Sequence, residues 1–375
     1  MMRTPEGVLF LWPLFFNNVK MMFVKIIMVA GGTGGHIYPA LTLAEALQKK
    51  GHEVAFIGSN DRMEKDLVPS FGFVYTGLDV YTTRGGIIQK IRSLLSIIKA
   101  YFTCQDLLKG YDMAIGFGNY ISIPVMKAAR KLGLKTVIHE QNSFVGRANR
   151  LLDKDVDLII GSYEENLKQF RNENIKILGN PQSSKAFLVK KNRNVLKELG
   201  LDPDKKTVVI FMGSLGSSSV NDKLIDYFRL LDGSYQVVFA TGRSHYEDVL
   251  SKVESNEYLK IFERIDGVNV MKNSSLLVCR AGATTICEIC AIGMPAILIP
   301  SPYVPNNHQY YNGKALVDKD AAIMIEEKDL NGDLLNQTIN KIINDDERLK
   351  TLSDNARKLS NPDVLDDIIE AIENL

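Results

Sequence analysis

Short continuous apolar runs recur along the chain, and between them apolar residues return every three or four positions. The first run, IIMV at residues 26 to 29, is followed by Ala40, Leu41, Leu43, Ala44 and Leu47 at helical spacing. That pattern predicts a buried strand feeding an amphipathic helix. EVAFIG, MAIGF, KTVIH, DLIIG and a segment ending ILGNP continue the series. Because these strands are apolar throughout and do not alternate, they predict a mostly parallel sheet covered on both faces. The pattern then restarts. TVVIFMGSLGSSSVN reads as strand, glycine-bearing loop and helix, and YQVVFATG, YLKIF, LLVCRAG, PAILIP and AAIMI follow. The expected fold class is therefore α/β, with two doubly wound Rossmann-like domains divided near residue 180 and ligands outside the carboxyl ends of the strands. A length of 375 residues also exceeds what one core usually holds. From Leu334 the tail has a helical period, and Pro362 is expected to divide it into two helices.

One stretch departs from this alternation. Residues 84 to 102, RGGIIQKIRSLLSIIKAYF, carry Ile87, Ile88, Ile91, Leu94, Leu95, Ile97, Ile98 and Phe102, with Arg84, Lys90, Arg92 and Lys99 interleaved. Periodicity leaves two readings open: a core helix with a solvated edge, or an interfacial helix facing anionic lipid. Composition sharpens the contrast, since 45% hydrophobic residues, 24% charged residues and a formal charge of +1 describe a soluble globular chain with no global attraction for nucleic acid. Cys104, Cys279, Cys287 and Cys290 fall in or beside apolar segments, which suits a reducing compartment. The CEIC spacing lacks a second cysteine pair for zinc, so core packing is expected there and no metal site. An apolar run at residues 8 to 16 is broken by Pro13 and is too short to span a bilayer, so residues 1–21 are set apart as an extension.

The candidate chemistry lies in the loops. GGTGGH, residues 31 to 36, sits between the first strand and its helix. Amides at a helix start attract anions, and glycines allow close main-chain approach, so a phosphate-bearing ligand is expected, with a ligand-free tight turn as the alternative. A dinucleotide fingerprint would need glycine at Ile37 and an acid after VAFIGSN, and a Walker A loop would need a lysine that is absent between Lys25 and Lys49. NAD and ATP binding of those types are disfavoured.

GGTGGHIYPAL, GFGNYISIP, HEQN, GNP, MGSLGSSSVN and CRAGATTICEI, in this order and spacing from about Lys25 onward, resemble the MurG family of UDP-N-acetylglucosamine:undecaprenyl-diphospho-N-acetylmuramoyl-pentapeptide N-acetylglucosaminyltransferases. The resemblance implies a GT-B fold in which residues 22–180 face acceptor and membrane, residues 181–350 bind UDP-GlcNAc across a central cleft, and residues 351–375 pack back towards the first domain. It implies inverting transfer of GlcNAc to the 4-hydroxyl of MurNAc in lipid I, giving lipid II, at the cytoplasmic face of the membrane. UDP-GlcNAc would be a substrate and no cofactor would be required; wall-synthesis proteins are possible partners. The donor would meet Thr33, Gly34, Gly35 and Asn142 from the first domain. From the second it would meet Ser183, Lys185, Gly213, Ser214, Gly216, Ile265, Ala283, Thr284, Thr285, Glu288, His308 and Gln309. Glu288 would accept both ribose hydroxyls, Ile265 would read uracil through its backbone, and Gln309 would bind sugar hydroxyls; the i,i+3 spacing of Gln309 and Asn312 predicts that both stand at the cleft mouth. The acceptor would meet Gly32, His36, Gly118, Asn119 and Tyr120. Ile87, Ile88, Lys90, Ile91, Arg92, Leu94, Leu95, Ile98 and Lys99 would meet the membrane.

His36 is the first candidate for general base or acceptor-orienting group, because imidazole titrates near neutral pH beside the first glycine loop. His139 with Glu140 is the weaker alternative. His52 and His245 are expected to have ordinary surface roles. Two departures from the family pattern stand out. Gln182, Ser183 and Ser184 follow GNP where many relatives carry an arginine, so Lys185 could serve only if turned inward, and Met212 replaces the usual glycine of the third loop. Rival readings are another UDP-sugar transferase of the same fold, a UDP-GlcNAc 2-epimerase, and a non-catalytic nucleotide-sugar sensor.

Overall fold

The computed structural model describes residues 23–81, 86–213 and 216–375. The extension with its apolar run, Arg84 and Ser214 therefore lie outside the described residues. Two parallel sheets form. The first contains β1 (Lys25–Val29), β2 (Glu53–Ser59), β3 (Val74–Leu78), β4 (Met113–Gly116), β5 (Lys135–Glu140), β6 (Leu158–Gly161) and β7 (Ile175–Ile177), in the order β3-β2-β1-β4-β5-β6-β7. The second contains β8 (Thr207–Phe211), β9 (Gln236–Ala240), β10 (Leu259–Phe262), β11 (Leu276–Cys279), β12 (Ala296–Leu298) and β13 (Ile323–Met324), in the order β10-β9-β8-β11-β12-β13. The continuous apolar runs are explained by burial on both faces. In β1, Ile26 and Met28 enter one core while Ile27 and Val29 enter the other. In β8, Val208 and Ile210 pack opposite Val209. The order in which parallel strands are added reverses between β1 and β4 and between β8 and β11, which opens a crevice at the strand ends where ligands bind in such folds. This is the GT-B arrangement.

The tail differs from expectation. It forms three helices, Gly332–Ile343, Asp346–Lys358 and Val364–Glu373. The additional break falls at Asp345, whose side chain caps the second helix by accepting from the Arg348 amide at 2.9 Å. Pro362 lies in the second break. The last helix leaves the second sheet and joins the core of the first, burying Val364, Ile368, Ile369 and Ile372 beside Leu43 and Leu47. Each such side chain contributes about 1.5–3 kcal/mol of burial. His52 is not a surface residue: it is buried, and its Nε2 lies 3.2 Å from Glu373 on that returning helix.

The Ile87–Leu107 helix is inverted relative to a core helix. Its buried residues are Ser93, Ser96, Ala100 and Cys104, whereas Ile88 is 80% exposed and Leu95 61%. Ser93 donates to the Tyr81 carbonyl at 2.8 Å and Ser96 accepts from the Tyr81 amide at 3.1 Å, so small polar residues fasten the helix to the domain. Arg92 lies over the Tyr81 ring. Ile87, Ile91, Leu94, Ile98 and Phe102 are also exposed, as are Lys90, Arg92 and Lys99. Among the described residues no helix is long and apolar enough to cross a membrane.

Candidate functional site

The first glycine loop leaves β1 and enters the Gly34–Lys49 helix through Thr33, which has extended backbone and makes no side-chain cap. Two of its four glycines answer to the protein itself. A side chain on Gly31 would collide with the buried Glu64 carboxylate, which also accepts from the Gly32 amide at 3.1 Å. One on Gly32, at φ +87°, would collide with Asn119, whose Nδ2 donates to the Gly31 carbonyl at 2.7 Å. Gly34 packs near the Tyr38 ring, and around Gly35 only the Thr33 hydroxyl comes near. The loop is thus braced from behind by a support that the sequence did not disclose, since Glu64 stands 32 residues from Gly32.

His36 lines a cleft of about 760 Å³ together with Gly32, Thr33, Gly118, Asn119 and Tyr120. Its Nδ1 lies 2.7 Å from the Phe117 carbonyl. A carbonyl only accepts, so a proton sits on Nδ1, and the neutral tautomer compatible with this contact has its lone pair on Nε2. The same nitrogen is 3.2 Å from Gln141 Oε1. Gly118 and Asn119 both have positive φ, and Asn119 Oδ1 accepts from the Tyr120 amide at 2.6 Å. Asp61 and Arg62 lie close to Tyr120, whose hydroxyl is raised in pKa mainly by burial. Arg62 and Arg147 also border the cleft, as do Phe144 and Asn149. None of the four was singled out from the sequence; each is one letter in a loop without a repeating pattern.

His139 and Glu140 belong to the wall. His139 is fully buried, its Nε2 3.0 Å from the Gly179 carbonyl and its ring stacked on Phe117. Desolvation pulls its pKa down to about 4, against the pull of the Gly179 bond and with a smaller push from His36. Glu140 has both oxygens occupied: Oε1 accepts from the Asn142 amide and Nδ2 at 3.0 and 3.2 Å, and Oε2 from the Gly146 amide and Asn149 Nδ2, each at 2.9 Å. It orders the loop that carries Asn142. Across the cleft, Asn142 Oδ1 accepts from Asn312 Nδ2 at 3.2 Å, and Asn312 Oδ1 accepts from the Ser143 amide at 2.9 Å. Asn312 also donates to the Ala281 carbonyl at 3.2 Å and is fully buried, so it bridges the domains and does not stand at the cleft mouth. Phe144 stacks on Tyr311 at 5.2 Å beside this bridge.

From the second domain, Pro305, Asn306 and His308 close the same cleft. His308 Nδ1 lies 2.9 Å from the Pro305 carbonyl, and burial lowers its pKa. Gln309 Oε1 accepts from the Ser301 amide at 2.9 Å. At the β11 end, Gly282 precedes the Ala283–Ile292 helix, which carries Thr284, Thr285 and Glu288. Thr284 Oγ1 is buried without a hydrogen-bond partner. Glu288 is partly buried; desolvation pushes its carboxyl up to about 7, a hydrogen bond from Gln182 opposes this, and Asp266 adds to it. Asp266 caps the next short helix and Ile265 packs against the second core. After β8, Gly213 has φ +84° and open space around it, whereas a side chain on Gly216 would strike the Thr241 carbonyl. Met212 turns into the core. Beneath this loop Arg280 and Glu327 form a buried pair at 2.6 Å; Arg280 donates to Ser217 Oγ at 2.8 Å, and Glu327 accepts from Ser219 Oγ at 2.7 Å.

The segment after GNP is used otherwise than the arginine it replaces. Ser183 is buried and its hydroxyl donates to the Asn180 carbonyl at 2.8 Å. Lys185 does not turn inward: it pairs with Glu45 of the first domain at 3.0 Å and lies near the Phe71 ring. Cys287 and Cys290 are free thiols raised in pKa by burial, Cys290 to about 12, as packing residues are. Among the described residues no cluster of three or more His, Cys, Asp or Glu could hold a metal ion.

Residues 26–160 match the glycosyltransferase family 28 N-terminal domain and residues 207–368 its C-terminal domain. A UDP-N-acetylglucosamine--N-acetylmuramyl-(pentapeptide) pyrophosphoryl-undecaprenol N-acetylglucosamine transferase of Halothermothrix orenii is 36% identical, with 94% of this chain and 99% of that protein covered. The Bacillus subtilis protein of the same description is 35% identical over the same shares. Among solved structures, Acinetobacter baumannii MurG superposes with a TM-score of 0.79 at 25% identity, covering 94% of this chain and all of that one. A putative UDP-N-acetylglucosamine 2-epimerase from Listeria monocytogenes shares the fold alone, with a TM-score of 0.68 at 13% identity and coverage of 94% and 96%. With this identity sustained over nearly the full length of both chains, and a cleft between two doubly wound domains, the chain belongs to the family of UDP-N-acetylglucosamine--N-acetylmuramyl-(pentapeptide) pyrophosphoryl-undecaprenol N-acetylglucosamine transferases.

Proposed function

We propose that the protein transfers N-acetylglucosamine from UDP-GlcNAc to the 4-hydroxyl of the MurNAc unit of lipid I, with inversion, forming lipid II for peptidoglycan synthesis at the inner face of the cell membrane. The observation that carries this reading is one helix. Ile97 of the Ile87–Leu107 helix lines the cleft beside His36, while the outer face of the same helix exposes isoleucines and leucines among basic residues. A substrate with a sugar to place in the cleft and a prenyl tail that stays in the bilayer fits both faces.

His36 takes the acceptor proton at Nε2 or orients the hydroxyl, its tautomer fixed by the Phe117 carbonyl. The departing UDP diphosphate is received by amides around Gly213 and Gly216 and at the head of the Ala283–Ile292 helix, whose dipole favours negative charge. Thr285 bonds phosphate, Glu288 takes the ribose hydroxyls, Ile265 the uracil, and Gln309 with His308 the sugar. Arg62 and Arg147 suit the acceptor's own diphosphate. His139 and Glu140 hold the wall. Incubation with UDP-GlcNAc and a short-chain lipid I analogue tests the reading: a product heavier by one GlcNAc supports it. Conversion of the donor to UDP-N-acetylmannosamine would favour an epimerase, and UDP-GlcNAc binding without turnover on any lipid acceptor a sensor.

A further inference from the structure

A second cavity, of about 320 Å³, lies at the opposite end of the Ala283–Ile292 helix from the donor loop. Lys191, Lys272, Lys350 and Arg357 converge on it, and no carboxylate lines it. In a chain whose charges nearly cancel, with 45 basic and 44 acidic residues, such a cluster is a local excess. Arg348, on the same helix as Lys350 and Arg357, by contrast pairs with Asp320 at 2.8 Å. The four around the cavity have no ion-pair partner among the described residues. Like charges gathered around one cavity repel; the negative end of the Ala283–Ile292 helix relieves part of this, with Arg357 reaching the Ile292 carbonyl at 3.5 Å, and a bound anion would relieve the rest. Burial, then Arg357 and Lys191, lowers the pKa of Lys272, the direction expected of a partly buried cation beside two others.

We propose that this cavity is a binding site for a small, multiply charged oxyanion of the phosphate class, separate from the donor cleft. The walls favour a soluble ligand over a lipid headgroup. Ile292 is buried, and the exposed apolar helix that could enter a bilayer belongs to the other domain. The cavity also borders Gly293, the C-cap of the helix whose first turns carry Thr284, Thr285 and Glu288. Ten residues, roughly 15 Å of helix, separate an anion there from the donor loop. The inference stands whether or not the transferase reading holds.

The test uses the full chain with UDP saturating the cleft, so that the donor loops are occupied, and inorganic pyrophosphate as probe. Pyrophosphate should raise the unfolding midpoint by about 2 °C, saturably and beyond sodium chloride at matched ionic strength. Lys272→Gln and Lys350→Gln, made separately, should each raise the midpoint of the anion-free protein and lose most of the increment, with UDP affinity unchanged. Equilibrium dialysis with labelled pyrophosphate should find one extra site in the parent, reduced at least tenfold in affinity in either variant. Equal effects of pyrophosphate and chloride, or an increment that survives in both variants, would overturn the proposal. So would charge-dependent binding to phosphatidylglycerol vesicles, absent on phosphatidylcholine and lost in the variants, if soluble pyrophosphate failed to bind.

Discussion

At His36 one imidazole could either take a proton or build the donor cradle, and its hydrogen bonds separate these jobs. The Phe117 carbonyl holds a proton on Nδ1, so in the neutral ring Nε2 keeps the lone pair that the proposed reaction would use. His36→Ala is expected to lower kcat by roughly 100-fold while leaving UDP affinity nearly intact. Steady-state kinetics with calorimetry checks this; lost UDP affinity with normal saturated turnover would move His36 to the donor cradle. Glu288 gives a pH signature. Its carboxyl is pushed up to about 7 in the ligand-free protein, and the ionised form, with two acceptor oxygens, takes both ribose hydroxyls more strongly than the neutral acid. Binding must therefore lower its pKa and release a proton, so affinity rises as pH climbs through about 7 and falls below it by up to tenfold per unit. UDP-GlcNAc, whose diphosphate diester does not titrate there, is the ligand to use. Glu288→Gln should weaken binding by about 1.5–3 kcal/mol and flatten the profile. A profile as steep in the variant as in the parent would remove Glu288 from the ribose role. The sequence shows which letters gather in loops, but not their partners. Gly31 and Gly32 looked like room for a ligand, and half of that room is taken by Glu64 and Asn119.

The Ile87–Leu107 helix makes the same point among the elements. Its apolar residues could be read as a core stripe, yet the domain buries its serines, Ala100 and Cys104 instead. Periodicity reports that a face exists; which face turns inward depends on neighbours such as Tyr81 that no local pattern reveals. Because Ile88 and Leu95 are exposed, Ile88→Glu with Leu95→Glu should leave folding and UDP binding unchanged, abolish flotation with acidic vesicles, and impair turnover only on bilayer-presented acceptor. Flotation equal to the parent would reject this helix as the anchor. High salt should weaken the parent's association, since Lys90, Arg92 and Lys99 each contribute up to about 1 kcal/mol near an anionic surface. Central strands were legible because burial on both faces makes them apolar throughout. The edge strand β3, Val74–Leu78, was not, since its half-exposed Val-Tyr-Thr-Gly-Leu lacks that mark. Likewise the tail break at Asp345 rests on a cap and on no proline.

In the whole molecule, two sheets of the same winding present their crevices to one cleft, and the chain crosses between them twice. The second crossing brings the Val364–Glu373 helix into the first core, and Asn312 ties Asn142 and Ser143 of one domain to Ala281 of the other. The repeated strand-loop-helix pattern made the two domains legible. The bridge was not, because Asn312 and Ser143 stand 169 residues apart. What this arrangement does is most directly tested by determining the linkage and anomeric configuration of the product formed from UDP-GlcNAc and a lipid I analogue. A β-1,4-linked GlcNAc on MurNAc is the expected result, by attack at the anomeric carbon opposite the departing UDP. An α-linked sugar, a linkage to any other hydroxyl, or conversion of the donor without transfer would contradict it.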